Sequence, residues 1–232
     1  MIKILFICHG NICRSPTAEF VMKDLVRRAG IEREFEIASA AAHTDEIGNP
    51  VYPPSRRMLA QHGIDCSGKR ARLMRREDYA HYDLLIGMDE ENLRDMRRLF
   101  GADGSGKLHN MMEYAGRPHD AVADPWYTRD FERTWLDVTS ACQGLLEALT
   151  GIVTLDFSRC SEIPALYTLM RGKMAWQDWY GENLDAVYDI LTGLPHQGSR
   201  FVVIPPESPS AELAEYVGKL RDVFADAGAL QG

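Results

Sequence analysis

No apolar run in the sequence approaches the roughly 20 residues that a membrane-spanning helix needs. The opening Met-Ile-Lys-Ile-Leu-Phe-Ile-Cys is also too short for the apolar core of a secretion signal. A cytoplasmic setting is expected, with no membrane partner. C-x-x-C and H-E-x-x-H are both missing and the seven histidines are scattered, so no metal site, and no cofactor, is expected. Cysteine is sparse: five residues, at 8, 13, 66, 142 and 160, have no framework spacing and suit reduced thiols better than structural bridges. Positive charge is outnumbered, 26 basic against 34 acidic residues for a net −8. A chain of that sign does not grip nucleic acid by neutralising phosphates; basic partners fit it better. Repeats and low-complexity tracts are absent as well.

What remains is an ordinary globular composition, 45% hydrophobic and 26% charged, over 232 residues, enough for two cores. Ile2 to Ile7 forms an apolar run that stops at Cys8, the pattern of a buried parallel strand. Gly10, Ser15 and Pro16 then mark a turn and a helix start, and the helix runs to Arg28. Further strands are predicted at 35–39, 82–87 and 107–111. Helices are predicted from Ser55 to His62, from Asp89 to Phe100 before Gly101, and from Phe131 to Leu149. Alternating β and α units imply a doubly wound parallel sheet. The register restarts after Thr150-Gly151 with Ile152 to Phe157, so domains are expected at 1–150 and 151–232, the second a smaller α/β unit with no Pro- or Ser-rich linker before it.

The stretch Cys8-His9-Gly10-Asn11-Ile12-Cys13-Arg14-Ser15-Pro16 lies between the first strand and the first helix, at the carboxyl end of the sheet, where open α/β sheets bind ligands. Amides curled between a thiol and an arginine at a helix N-terminus make a receptacle for a tetrahedral oxyanion, phosphate above all. Arg14 has the fork to hold two oxygens, and its field favours Cys8 as a thiolate nucleophile. A bare C-x5-R is more often a buried cysteine and a surface charge; its place at the strand-to-helix switch, with Gly10 and Ser-Pro, decides against that. Ser15 is placed to hydrogen-bond the thiolate and to cap the helix. Phosphoryl transfer also needs an acid on a loop. Asp124-Pro125-Trp126-Tyr127 supplies one, with two aromatics to wall a slot for a phenyl ring.

Together with Ser39-Ala-Ala, Glu46-Ile-Gly-Asn-Pro50, His62-Gly-Ile64 and Met88-Asp-Glu-Glu-Asn-Leu-Arg-Asp95, these motifs make the first 150 residues closely resemble the low-molecular-weight protein tyrosine phosphatases. The resemblance implies hydrolysis of a phosphotyrosine-containing protein or a small aryl phosphate. Cys8 would be the nucleophile, Arg14 the phosphate clamp, Ser15 the thiolate partner and Asp124 the general acid. Asn11 would shape the loop through Ser39, and Cys13 would form a protective, reversible disulfide with Cys8. Two positions depart from the family. Lys69 stands where many members place a histidine that supports the asparagine, and Asp45 where animal members carry an aromatic, which makes one wall of the slot acidic. Related nests serve arsenate reductases, whose relay cysteines are missing from residues 79–101, and arginine phosphatases, which carry threonine where this chain has Ile12.

Residues 151–232 hold 11 acidic and 6 basic side chains. After the aromatic loop Trp176 to Tyr180, a helix is predicted with Leu184, Val187, Ile190 and Leu191 inward and Asp185, Tyr188 and Asp189 on the opposite face. Tyr180-Gly-Glu-Asn-Leu-Asp-Ala186 with Leu191-Thr-Gly193 resembles barstar, a ribonuclease inhibitor. That resemblance implies that Trp179, Asp185, Tyr188 and Asp189 occupy a basic ribonuclease. The family's third strand has little chain left to form it after the last helix, placed at 216–227, and Tyr188 replaces the usual tryptophan. A competing reading makes the whole chain chiefly a binding protein that sequesters such a nuclease on an inactive phosphatase scaffold.

Overall fold

The computed structural model describes residues 1–174, 176, 179–193, 196 and 198–231. Gln177 and Asp178 of the aromatic loop lie outside the described residues. The chain divides into two compact units, Met1–Arg27 with Ile31–Ala148, and Arg28–Gly30 with Leu149–Gly232.

The larger unit is a four-stranded sheet in the order β2-β1-β3-β4, with every pair parallel. Its strands are β1 (Ile2–Cys8), β2 (Phe35–Ala41), β3 (Leu84–Gly87) and β4 (Leu108–Asn110). Because β2 and β3 flank β1 on opposite sides, the chain order reverses at β1, and the crevice beyond its carboxyl end is the site such a topology offers a ligand. β1 is buried from Ile4 to Cys8, as a strand covered on both faces must be. Around it stand α1 (Arg14–Arg28), α2 (Pro53–Gln61), α3 (Arg76–His81), α4 (Glu90–Phe100), the single turn α5 (Pro125–Thr128) and α6 (Phe131–Thr150). Leu5 and Ile7 pack with Leu85 and with Leu93 and Met96 of α4.

The differences from the sequence reading have local causes. α2 begins at Pro53, two residues ahead of Ser55, because proline in a first turn gives up no intrahelical bond. β3 begins at Leu84 instead of Tyr82, since Tyr82 closes α3 through its amide on the Asp78 carbonyl. The Asp-Pro turn at 124–125 is a helix start, with the Asp124 side chain accepting from the Trp126 amide at 2.9 Å. Gly144 of α6 answers to a close approach: a Cβ there would lie 1.9 Å from the Tyr114 carbonyl oxygen.

The smaller unit pairs β5 (Ile152–Asp156) with β6 (Arg200–Ile204) in parallel and carries α7 (Ile163–Lys173), α8 (Leu184–Thr192) and α9 (Ala211–Asp226). α9 starts five residues before Tyr216 because the Ser210 hydroxyl caps it, accepting from Leu213 N–H. After α9 the chain returns to β6: Leu230 forms one parallel bridge to Phe201, a stub in place of a third strand. The core gathers Leu155, Phe157, Leu166, Met170, Val187, Ile190, Leu191, Phe201, Leu220 and Phe224. No helix among the described residues is long and apolar enough to cross a membrane.

Candidate active site

Cys8 ends β1 and Arg14 begins α1, so the five residues between them must turn from strand to helix within a single loop. Asn11 makes the turn by adopting φ 58°, a left-handed conformation that asparagine tolerates better than most residues. Neighbouring segments take the loop's carbonyls from outside: Ala42 N–H donates to Cys8 O, His43 N–H to His9 O and Tyr52 N–H to Ile12 O, at 2.8–3.0 Å. Among the described residues, the amides of Gly10 to Ser15 meet no protein acceptor. With the carbonyls drawn outward and a helix N-terminus at its end, the loop is an anion nest. Gly10 gives the loop room beside Glu46: a Cβ there would come within 2.9 Å of Glu46 Cγ, and that side chain would have to move.

Behind the loop, Asn11 Nδ2 donates to Ser15 Oγ at 2.9 Å and to Ser39 Oγ at 2.7 Å, and Asn11 Oδ1 accepts from Arg72 N–H at 3.2 Å. Ser15 Oγ lies 3.0 Å from Cys8 Sγ. Asn11, Ser15 and Ser39 are fully buried, so they hold the loop and do not line the cavity. Lys69, at the departure from the family pattern, reaches Glu19 Oε2 at 2.7 Å and the Ser39 carbonyl at 3.1 Å. Burial works against the charge on Glu19, but Lys69 and Lys23 outweigh it and hold the carboxyl below its ordinary range.

Arg14, only 4% exposed, places Nη1 2.5 Å from Asp89 Oδ2 and Nη2 2.7 Å from Asp124 Oδ2. Burial disfavours its charge, yet Cys8, Asp124 and Asp89 prevail and keep the guanidinium above its ordinary value. Both carboxylates are helix caps. Asp89 spends Oδ1 on the Asn92 amide at the start of α4, and Asp124 spends Oδ1 on Trp126 N–H, which leaves each Oδ2 for Arg14. These contacts bring thiol, guanidinium and candidate acid to one cavity of about 220 Å³. Its floor is Cys8, His9, Gly10, Ile12, Cys13 and Arg14, and its walls include Asp45, Glu46, Asp124, Trp126 and Tyr127. The wall aromatics are exposed, 46% for Trp126 and 82% for Tyr127. Arg129 lies 5.6 Å from the Trp126 ring, and Tyr52 tilts against that ring at 5.7 Å.

Cys8 and Cys13 are free thiols. Burial pushes the Cys13 thiol up to about 12, with a hydrogen bond to Ser55 opposing, so Cys13 is uncharged at neutral pH. Among the described residues, His9, His43 and Asp45 form a potential metal-ligating set, with ligand atoms within 4.8 Å of one another. The two imidazoles stack at 4.1 Å and 14°, so their in-plane lone pairs do not converge, and His43 is held by Asp95 at 2.9 Å.

Trp179, Asp185, Tyr188 and Asp189 belong to the smaller unit. Asp185, Tyr188 and Asp189 are exposed on one face of α8, opposite buried Val187, Ile190 and Leu191, and Trp179 is 78% exposed. The sequence reading missed Asp89 and Glu19. Asp89 reads as a cap and nothing more; for Glu19 the available signal is its four-residue spacing from Ser15 on a helix whose first turns are buried.

The family model "Low molecular weight phosphotyrosine protein phosphatase" matches residues 3–155, and the model "Barstar (barnase inhibitor)" matches residues 150–231. The low molecular weight protein-tyrosine-phosphatase YfkJ of Bacillus subtilis is 34% identical over 150 residues, 64% of this chain and 96% of that protein. Its crystal structure matches with a TM-score of 0.63 over 65% of this chain and 96% of its own. The Gallus gallus low molecular weight phosphotyrosine protein phosphatase is 36% identical over 62% of this chain and 93% of that protein. The SP-PTP structure from Streptococcus pyogenes is 36% identical, with a TM-score of 0.58 over 65% of this chain and 94% of its own. With a family model over more than half its length and these relatives spanned almost entirely, the chain belongs to the low molecular weight phosphotyrosine protein phosphatase family, and it carries a Barstar domain after the phosphatase domain.

Proposed function

We propose that residues 1–150 form a cytoplasmic phosphatase domain that hydrolyses phosphotyrosine or a similar aryl phosphate through a phosphocysteine, and that residues 151–232 form a protein-binding domain. The observation that carries the first part is Arg14, which touches Asp124 at 2.7 Å on the rim of the loop that begins at Cys8. Nucleophile, clamp and acid thereby share one cavity.

In the first step Cys8 Sγ attacks phosphorus and a P–S bond forms. The bond from phosphorus to the aryl oxygen breaks, and that oxygen leaves with its electron pair and takes the proton of Asp124. In the second step Asp124 takes a proton from water, whose oxygen displaces sulfur and releases inorganic phosphate. Arg14 and the amides of the loop from His9 to Cys13 hold the equatorial oxygens, while Ser15 hydrogen-bonds the departing sulfur. Asn11 and Ser39 keep the loop curled. Trp126 and Tyr127 flank the ring, and Asp45 turns one wall against acidic substrates. Oxidation by a peroxide, which is reduced to water, would join Cys8 and Cys13 in a reversible disulfide and spare the nucleophile from further oxidation.

The Asp124→Asn variant is expected to hydrolyse phenyl phosphate about 10²-fold more slowly. The loss should be smaller with p-nitrophenyl phosphate, whose leaving group needs less help from a proton. Equal losses on the two substrates would remove Asp124 as the acid.

For the second domain, the exposed face of Asp185, Tyr188 and Asp189, with Trp179 beside it in sequence, suits a basic ribonuclease. Asp189→Ala is expected to weaken capture of such an enzyme at least about tenfold in titration calorimetry. Unchanged binding would take this face out of the interface.

A further inference from the structure

The hydrogen bonds behind the phosphate loop have a single direction, and it can be read from end to end. Arg72 N–H points at Asn11 Oδ1, which fixes the amide so that Nδ2 faces the two serines. Nδ2 has two hydrogens and spends one on Ser15 Oγ and the other on Ser39 Oγ. Each hydroxyl is therefore an acceptor toward Asn11 and has its one hydrogen to give elsewhere. Ser39 gives its hydrogen to Glu19 Oε2 at 2.6 Å, and Ser15 Oγ, among the described residues, has the sulfur of Cys8 as its remaining side-chain partner, 3.0 Å away.

This order depends on Glu19 being a pure acceptor. A carboxylate accepts only, whereas a carboxylic acid also donates. Glu19 is 4% exposed, and a carboxylate that far from water keeps its charge only beside a cation. Lys69 provides one at 2.7 Å on the oxygen that Ser39 uses, while Lys23 takes the other oxygen at 2.5 Å from a more exposed position. Lys69 is itself mostly buried and also donates to the Ser39 carbonyl, so it is aimed at this pair. If Glu19 were protonated, its hydrogen would compete for Ser39 Oγ, the Ser39 hydrogen would turn back toward Asn11, and the amide could no longer supply both serines. The hydrogen of Ser15 would then lose its bias toward sulfur.

We propose that Lys69 is a positioning residue for Cys8: by holding Glu19 as an acceptor, it sets the direction of a hydrogen-bond chain that ends with the Ser15 hydroxyl donating to the sulfur. The inference rests on the reading of Cys8 as the nucleophile, and its test reads the sulfur without turnover. The charged and titratable groups around the chain are Lys23 and Lys69 at Glu19, with Lys23 and Arg72 also facing Lys69. Arg14, Asp124 and Cys13 surround Cys8 and are left unchanged by substitution at Lys69.

The experiment measures alkylation of Cys8 by iodoacetamide across pH, followed by mass spectrometry of the Cys8 peptide, in the full chain and in Lys69→Met and Lys69→Arg. Lys69→Met is expected to lower the ratio of the rate at pH 6 to the rate at pH 9 about three- to tenfold, the equivalent of up to one decade in thiolate population. Lys69→Arg, which keeps the cation, is expected to stay within about twofold of the parent ratio. If Lys69→Met does not fold, the paired variant Glu19→Leu/Lys69→Met removes the buried acceptor together with its cation, leaves no lone buried ion and is expected to show the same fall. A parental ratio in whichever of these is folded overturns the proposal. So does an equal fall in Lys69→Arg, which would make shape, not charge, the cause. An unreactive phosphatase site with the predicted alkylation shift would leave this inference standing and remove the catalytic reading instead.

Discussion

The Cys8→Ser variant is expected to hydrolyse p-nitrophenyl phosphate on the order of 10⁴-fold or more below the parent chain, about 5 kcal/mol of transition-state stabilisation. The exchange of sulfur for oxygen is small in volume, and residue 8 is buried at the end of β1 beside Ser15, so the fold has no reason to change. What changes is the proposed nucleophile. An alcohol is a weak attacking group, whereas a thiolate is a strong one. The measurement is steady-state hydrolysis together with a thermal melt. A melt like the parent's combined with retained turnover would place the chemistry elsewhere, and an inert parent chain would favour the reading of the protein as chiefly a binder.

The second large effect is expected at Arg14. Replacement by lysine should reduce kcat/KM by about 10² to 10³ and weaken inhibition by vanadate in parallel. Arg14 answers three partners at once: Asp89 through Nη1, Asp124 through Nη2 and the charge at Cys8. A lysine ammonium is a single point with a tetrahedral set of hydrogens. It cannot bridge both carboxylates and also present two parallel donors to phosphate, so one carboxylate is left beside the anion nest to repel the substrate. Wild-type affinity for vanadate in Arg14→Lys would show that the amides alone hold the oxyanion.

The architecture of the larger unit was legible because its signals are local. Apolar runs separated by capped helices give a parallel sheet, and a thiol, a glycine and Arg14 between the first run and the first helix point to the loop. The contacts that complete the site were less accessible, for a physical reason. Asp89 announces a helix start, and nothing in its neighbourhood says that the cap uses only one carboxylate oxygen while the second reaches an arginine on another element. Glu19 looks like one more polar residue of α1 until Ser39 and Lys69, from β2 and the loop after α2, are seen to converge on it. Lys69 was visible only as a departure; its compensation by a buried acid is a tertiary fact. In the smaller unit the inward apolar face of α8 was readable from spacing, while the return of Leu230 to β6 depends on how the last helix ends, with Gly228 turning the chain at φ 68° and the amides of Ala229 and Leu230 both donating to the Phe224 carbonyl.

Gly144 has a consequence for Asp124, the candidate acid. On the same helix, Thr134 donates to the Ala123 carbonyl at 2.8 Å and Asp137 accepts from the Ala123 amide at 3.2 Å, so α6 grips the residue just before Asp124. One end of α6 carries that grip, and the other comes so near the Tyr114 carbonyl that no side chain of any size fits between them. Position 144 thus works as a mechanical stop. A Cβ placed there by Gly144→Ala is expected to push α6 from the Tyr114 backbone, and a shift of that helix would be passed through Thr134 and Asp137 to the residue before Asp124.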